Sequence, residues 1–297
     1  MPQYVIQGGD YRAVISGSGG ALRILRHGDR DLVTSWPQDG PVPFYSGTLL
    51  APWPNRVAHG RYTFRGETFQ VPVNEPERGH ALHGLVAFAG WRAAGPHADG
   101  DASVRLTHTV EPSPGYPFRL RLEVRHALGP GGLTTTLTAE NTGDLPAPYG
   151  CGTHPWLIAG DGPESGWELA LPADRVLLTD EELLPAALRP VEETPFDFRD
   201  PRPIGGTSAD HAFTGLAMGP DGLTGVGLRG PGGGGVRIAW DPAVLPWAQV
   251  CTGTGFGHRG IAVEPMTCPA DAFNSGTDLV VLDPGAKHEA GWTISAL

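Results

Sequence analysis

Between Arg119 and His126 the chain alternates strictly: Leu120, Leu122 and Val124 fall on one side of an extended backbone, and Arg119, Arg121, Glu123 and Arg125 on the other. A period of two buries one face of a sheet and solvates the other, a demand that a helix with 3.6 residues per turn cannot meet. Leu133–Thr138 continues the pattern, with Leu133 and Leu137 sharing a face with Thr135, and Gly129-Pro-Gly-Gly132 between the two runs suits a hairpin loop. Ala21–Leu25, Val33–Trp36, Val104–Val110, Val236–Trp240, Ile261–Val263, Leu279–Leu282 and Trp292–Ile294 are further short strand candidates. The best helical window, Thr179–Leu188, is interrupted by Pro185, so at most a turn or two is expected there. Gly (44) and Pro (30) make up a quarter of the 297 residues, enough to raise the question of disorder, but 40% hydrophobic residues and eight Trp supply a core. These glycines and prolines punctuate apolar stretches instead of forming one tract, and Gly230–Gly235 reads as a loop tip. With no solenoid repeat and no linker between two compositions, the expectation is one all-β, sandwich-like domain over residues 1–297.

Charge and cysteine content narrow the partners. The formal net charge is −11, and Lys287 is the only lysine beside twenty arginines, with no basic run among them. Such a chain lacks the electrostatic footprint for phosphate backbones, so nucleic acid is not an expected partner. Cys151, Cys251 and Cys268 are odd in number and widely spaced, a poor disulfide framework. Met1 to Ser16 contains Asp10 and Arg12 and no apolar core of signal-peptide length, and nowhere do about 18 apolar residues run together. No membrane association is expected, and the default location is the cytoplasm.

Several short motifs fail on context. Gly253-Thr-Gly-Phe-Gly257 has no strand–helix–strand unit around it, so it is not read as a dinucleotide loop. No G-x-S-x-G elbow is present. Cys151/His154 and His80/His83 have ligand-like spacings but lack the second pair of a closed zinc site, so no metal is expected. What remains is a set of polar residues set in sequence that otherwise reads as buried: Arg56, His83, His154, Asp210, His211 and Glu264. Taken singly, each is more economically a hydrogen-bonded structural group. Together they contain an imidazole and a carboxylate, the minimum for general acid–base catalysis without a cofactor. Spacing alone cannot bring them together.

The motifs in their order resemble the aldose 1-epimerase (galactose mutarotase) family. The resembling segments are Asn55-Arg-Val57, His80-Ala-Leu-His-Gly84, Gly152-Thr-His-Pro-Trp156, Thr194-Pro-Phe-Asp-Phe198, Asp210-His-Ala-Phe213, Glu264-Pro-Met-Thr267 with Ala272-Phe-Asn-Ser-Gly276, and Pro284-Gly285. The resemblance implies a large antiparallel β-sandwich, the galactose mutarotase-like supersandwich with few short helical turns, whose open cleft holds a monosaccharide. It implies Glu264 as the general base at the anomeric hydroxyl and His154 as the general acid at the ring oxygen. Arg56, His83 and Asp210, with Asn55 and Trp156, would bind the sugar, and neither cofactor nor metal is implied. The protein would be a monomer or homodimer acting on a free aldohexose such as glucose or galactose.

The Glu-Pro-Met-Thr and Gly-Thr-His-Pro-Trp forms resemble a bacterial branch that includes a sulfoquinovose mutarotase. A C6-anionic substrate of that kind, or a hexose 6-phosphate, would need a cation, for which Arg78 and Arg92 are the candidates. Two other classes stand beside the isomerase. A binding module could stack a sugar on Trp53, Phe88 or Trp156, although it would leave an acid–base pair without a purpose. A glycoside hydrolase could use Glu264 and Asp210, leaving His154 unexplained. For the isomerase, ordinary pKa values of about 6.5 for His and 4.3 for Glu imply only modest tuning. Pro155 and Pro265 directly follow the acid and base and bias both toward extended backbone.

Overall fold

The alternating run of Arg119–His126 falls, from Leu120 onward, inside the strand Leu120–Gly129, hairpinned to Gly132–Asn141 through Pro130 and Gly131. The computed structural model describes all residues, Met1–Leu297. These two strands sit in a nine-stranded antiparallel sheet whose spatial order is Arg92–Ala93, Ser103–Val110, Leu120–Gly129, Gly132–Asn141, Lys287–Ala296, Gly235–Trp240, Thr224–Arg229, Glu168–Ala170 and Arg202–Pro203. A second, eight-stranded sheet runs Pro185–Pro190, Ala173–Thr179, Asp210–Leu216, Trp247–Cys251, Ile261–Met266, Gly152–Thr153 and Leu49–Leu50, with Trp156–Leu157 also paired to Ile261–Met266. Four N-terminal strands between Gln3 and Asp31 form a third sheet.

The two large sheets share one apolar core. Leu120, Leu122, Val124, Leu133 and Leu137 from the first meet Val176, Phe213, Val250 and Val263 from the second in a cluster of 60 buried residues. Full burial of each such side chain contributes about 1.5–3 kcal/mol, and Trp240 keeps its indole N–H satisfied by donating to the Leu245 carbonyl at 2.8 Å. In the second sheet the central strands Trp247–Cys251 and Ile261–Met266 are buried on both faces. One face carries Ala248, Val250, Ile261 and Val263 into the core. By period two, Gln249, Cys251 and Glu264 point the other way.

One strand expectation and one helical expectation change. Val33–Trp36 forms no strand; Val33 makes only an isolated bridge to Leu157, and Pro37 ends any continuation. Thr179–Leu188 holds no helical turn. It is the tip of a hairpin between Ala173–Thr179 and Pro185–Pro190. Asp180 Oδ1 accepts the N–H groups of Glu182 and Leu184, a side-chain turn that competes with helix, and Pro185 opens the returning strand. The one α-helix is Ala272–Ser275. Gly230–Gly235 is a hairpin tip as expected, and no helix is long and apolar enough to cross a membrane.

Candidate active site

On the face of the second sheet turned away from the core, register places side chains next to one another. Asp210 pairs with Cys251 across one strand boundary, and Gln249 pairs with Glu264 across the next. His154 follows the strand Gly152–Thr153 and is pinned at the backbone: its N–H donates to the Thr48 carbonyl and its own carbonyl accepts from Gly47. The Pro155 carbonyl accepts from Val263 N–H, so the chain after His154 is tied to the strand that carries Glu264.

Opposite this face lies a second pair of segments, locked together by left-handed backbone. Asn55 and His83 have φ of 55° and 61°. Asn55 N–H donates to His83 Nδ1 at 3.2 Å, and His83 N–H donates back to the Asn55 carbonyl. Gly84 follows at φ 77°, where any Cβ would collide with the Ala51 carbonyl. The glycine after His83 is therefore a steric requirement of this crossing.

Between the two faces is a cavity of about 200 Å³, the scale of one sugar ring. All seven residues expected from the sequence line it: Asn55, Arg56, His83, His154, Trp156, Asp210 and Glu264. His154 Nε2 lies 3.2 Å from Glu264 Oε1, and their side chains are 8% and 2% exposed. Glu264 Oε2 and His154 Nδ1 have no partner in the protein. The His83 ring meets the His154 ring edge-on at 5.1 Å. Gln249 Nε2 donates to Asp210 Oδ1 at 2.7 Å. Trp156 forms part of the wall and donates its indole N–H to the Phe44 carbonyl.

Burial dominates the electrostatics. Desolvation pushes the Glu264 carboxyl well above the usual carboxylate range, with like charge from Asp210 adding to it and Arg56 partly offsetting it. Desolvation pulls His154 down to about 4. His83 is lowered well below the usual imidazole range by burial, then by His154 and Arg56. The modest tuning expected from ordinary pKa values is therefore corrected: burial displaces His154 and Glu264 strongly, each toward its uncharged form.

His83, His154 and Glu264 present ligand-type atoms within 4.8 Å of one another. The chemistry of His83 argues for hydrogen bonding there. Its Nδ1 accepts from Asn55 N–H, so the neutral ring carries its proton on Nε2 and is a donor toward the cavity.

Of the two cations considered for a C6 anion, Arg78 lines the cavity. Arg92 sits on an edge strand paired with Ser103–Val110, away from it. Trp53 is buried against Phe273 and presents no stacking face, while Phe88 is exposed and packs on Tyr45 outside the cavity. Gly253–Gly257 is a turn that brings Phe256 to the rim, where its ring stacks on Phe44.

Two polar residues of the cavity were not singled out from the sequence. Gln249 carried a usable signal, an uncharged polar residue alone in the apolar run Trp247-Ala-Gln-Val-Cys251. Glu75 did not: Asn74-Glu-Pro-Glu-Arg78 reads as a solvated turn. Three roomier clefts, of about 440, 530 and 550 Å³, lie beside Arg105 and Arg125, beside Glu164 and Arg259, and beside Trp36 and Phe88. None brings a buried imidazole against a buried carboxylate.

The sequence profile of the aldose 1-epimerase family matches residues 2–295. Uncharacterized protein YihR of Escherichia coli (strain K12) is 35% identical over 289 residues, covering 96% of this chain and 90% of that protein. Galactose mutarotase of Mus musculus is 30% identical over 179 residues, 58% of this chain and 50% of its own. The fold is similar to the crystal structure of a GalM/aldose epimerase homologue from C. elegans, with a TM-score of 0.86, 18% identity and coverage of 100% of this chain and 98% of that one. It is also similar to that of galactose 1-epimerase from Lactobacillus acidophilus NCFM, with a TM-score of 0.80, 19% identity and coverage of 97% and 91%. With the profile spanning nearly every residue, the chain belongs to the aldose 1-epimerase family, whose members are isomerase-class mutarotases.

Proposed function

We propose that this protein interconverts the α and β anomers of a free aldohexose, with Glu264 as general base and His154 as general acid. The carrying observation is the 3.2 Å approach of His154 Nε2 to Glu264 Oε1 inside a cavity of one-ring size. Burial disfavours the charged form of each group, so the pair holds one proton between two close atoms. When a sugar enters, that proton resides on His154 and the Glu264 carboxylate takes the proton of the anomeric hydroxyl. The C1–O5 bond breaks, its electron pair stays on O5, and His154 protonates that oxygen.

The open-chain aldehyde rotates about C1–C2. Ring closure runs the transfers backward: His154 takes the proton from the O5 hydroxyl as O5 attacks C1, and Glu264 returns one to the carbonyl oxygen. The site ends with the protons it began with and no second molecule is consumed. Arg56, His83, Asp210, Asn55 and Gln249 supply the polar contacts that hold the ring, and Trp156 supplies an apolar wall. The substrate is a single monosaccharide taken without a cofactor, by a monomer or homodimer in the cytoplasm.

Polarimetry or one-dimensional NMR of freshly dissolved α-glucose and α-galactose with catalytic amounts of protein tests this reading. Equilibration faster than buffer is expected; a buffer rate across a panel of aldoses would remove it.

A second reading, a sugar with an anion at C6, is favoured by one observation. Arg78 stands on the cavity wall with its side chain 39% exposed and only Nη1 engaged, by Glu75. Rates with glucose, glucose 6-phosphate and sulfoquinovose for the wild type and Arg78→Ala decide between the two. Loss confined to the anionic sugars supports the second reading, and rates on all three unchanged from the wild type oppose it.

A further inference from the structure

Glu75 performs a task that neither its sequence context nor the acid–base chemistry explains. It is only 8% exposed, and its carboxylate binds two arginines at once. Oε2 accepts from Arg56 Nε at 2.9 Å, and Oε1 accepts from both Arg56 Nη2 and Arg78 Nη1 at 2.9 Å. Burial alone would raise this carboxyl, but hydrogen bonds and charge from Arg56 and then Arg78 outweigh it, and the group is held below the usual carboxylate range.

Its backbone is equally constrained. The Glu75 carbonyl accepts from Arg78, Gly79 and His80, and its N–H donates to the His80 carbonyl. The same tight turn leads, through Leu82 paired with Arg56, into His83.

The bidentate contact occupies one edge of the Arg56 guanidinium, and Asn55 Oδ1 accepts from Nη1 at 3.3 Å. Of five N–H donors, that leaves one on Nη1 and one on Nη2 for the cavity, with their plane set by Glu75. Unanchored, a guanidinium on four rotatable bonds would have to be ordered by the sugar itself, which weakens binding. Charge follows the same logic. Arg56 lowers both Glu264 and His83 through space, so its counter-ion also moderates the field at the acid–base pair.

We propose that Glu75 is a positioning residue for substrate recognition: it sets the orientation of Arg56 so that two adjacent N–H groups meet neighbouring ring hydroxyls, and it holds Arg78 at the mouth of the same cavity. This rests on the mutarotase reading above and adds to it the residue that determines how the sugar is held.

The test separates binding from chemistry. Glu75→Gln removes the charge and Glu75→Asp keeps it one methylene short; both are measured for KM, kcat and, by ligand-observed NMR, affinity for glucose and galactose. The expected result is a KM raised about 10- to 100-fold with kcat within about threefold. Arg56→Lys should raise KM similarly, and adding Glu75→Gln to it should raise KM little further. Thermal melts identify any variant that fails to fold, in which case Glu75→Asp, expected to fold, carries the comparison. Unchanged KM and affinity in a folded variant, or losses that multiply with those of Arg56→Lys, would overturn the assignment. A wild type that binds aldoses without accelerating mutarotation retires the mutarotase reading alone, because the affinity comparison still tests Glu75.

Discussion

His154 Nε2 stands 3.2 Å from Glu264 Oε1, while the other carboxylate oxygen of Glu264 is buried and has no partner in the protein. A carboxylate satisfied on one side and orphaned on the other is costly to keep. A ligand hydroxyl repays that cost by donating to the free oxygen. The same geometry explains why burial is tolerated: the two groups need only one proton between them.

Glu264→Gln preserves shape and removes the proposed base, so the mutarotation rate with glucose or galactose should fall by about 10²–10⁴-fold. His154→Asn should fall by a similar factor. The double variant should lose little more than either single one, because the groups act as a unit. Both variants should retain the wild-type circular-dichroism spectrum; a variant at wild-type rate would show that its residue is not part of the pair.

The pH dependence follows from the direction of the shifts. His154 takes a second proton onto the pair only as pH falls to about 4, and Glu264 gives up the last proton only well above the usual carboxylate range. The one-proton state therefore extends upward from about pH 4, and kcat/KM should show an acid limb near that lower value. An acid limb centred near pH 6.5 would mean that His154 is not desolvated as described.

Stability should carry the opposite sign from a usual carboxylate. The folded pKa of Glu264 is raised, so between its unfolded value and its folded value the folded state binds the extra proton. The stability it contributes is fully present below the unfolded value and is lost as pH rises through the folded one. Urea denaturation should show Glu264→Gln gaining on the wild type as pH rises above the unfolded carboxyl range. A difference independent of pH would contradict the burial argument.

Gly84→Ala places a Cβ against the Ala51 carbonyl at a φ of 77°. Relief requires moving the His83 segment, which is bonded to Asn55 in both directions. A loss of about 2 kcal/mol or more is expected, with KM and kcat both impaired. Gly255→Ala, also at positive φ but with open space around it, should cost less, and equal effects would show that backbone strain rather than collision is responsible.

The sheet architecture was legible from Leu120, Leu122 and Val124 because a half-buried strand writes its orientation into every second residue. Val33–Trp36 misled because an apolar run also describes a loop packed on the core, and Thr179–Leu188 because its outcome turned on one Asx turn and one proline. Within the site, His154 and Glu264 stood out as polar groups in apolar surroundings. Glu75 was invisible because its burial comes from Arg56, nineteen positions earlier in the chain, and from the turn folding back on itself.

Strand periodicity and the placing of His154 and Glu264 as polar groups in apolar surroundings are local properties, and the amino-acid sequence by itself determined them. Distance and protonation are not local. The 3.2 Å approach of His154 to Glu264 depends on the register that pairs Gly152 with Met266 and Trp156 with Ala262, and on the pinning of His154 to Thr48. Their inverted pKa values depend on the removal of water from both, which happens only when the sheet face, the Asn55–His83 crossing and the rim close around one cavity. Arg78 and Arg92 are both exposed cations in the chain, and only tertiary structure carries one of them, Arg78, to the cavity.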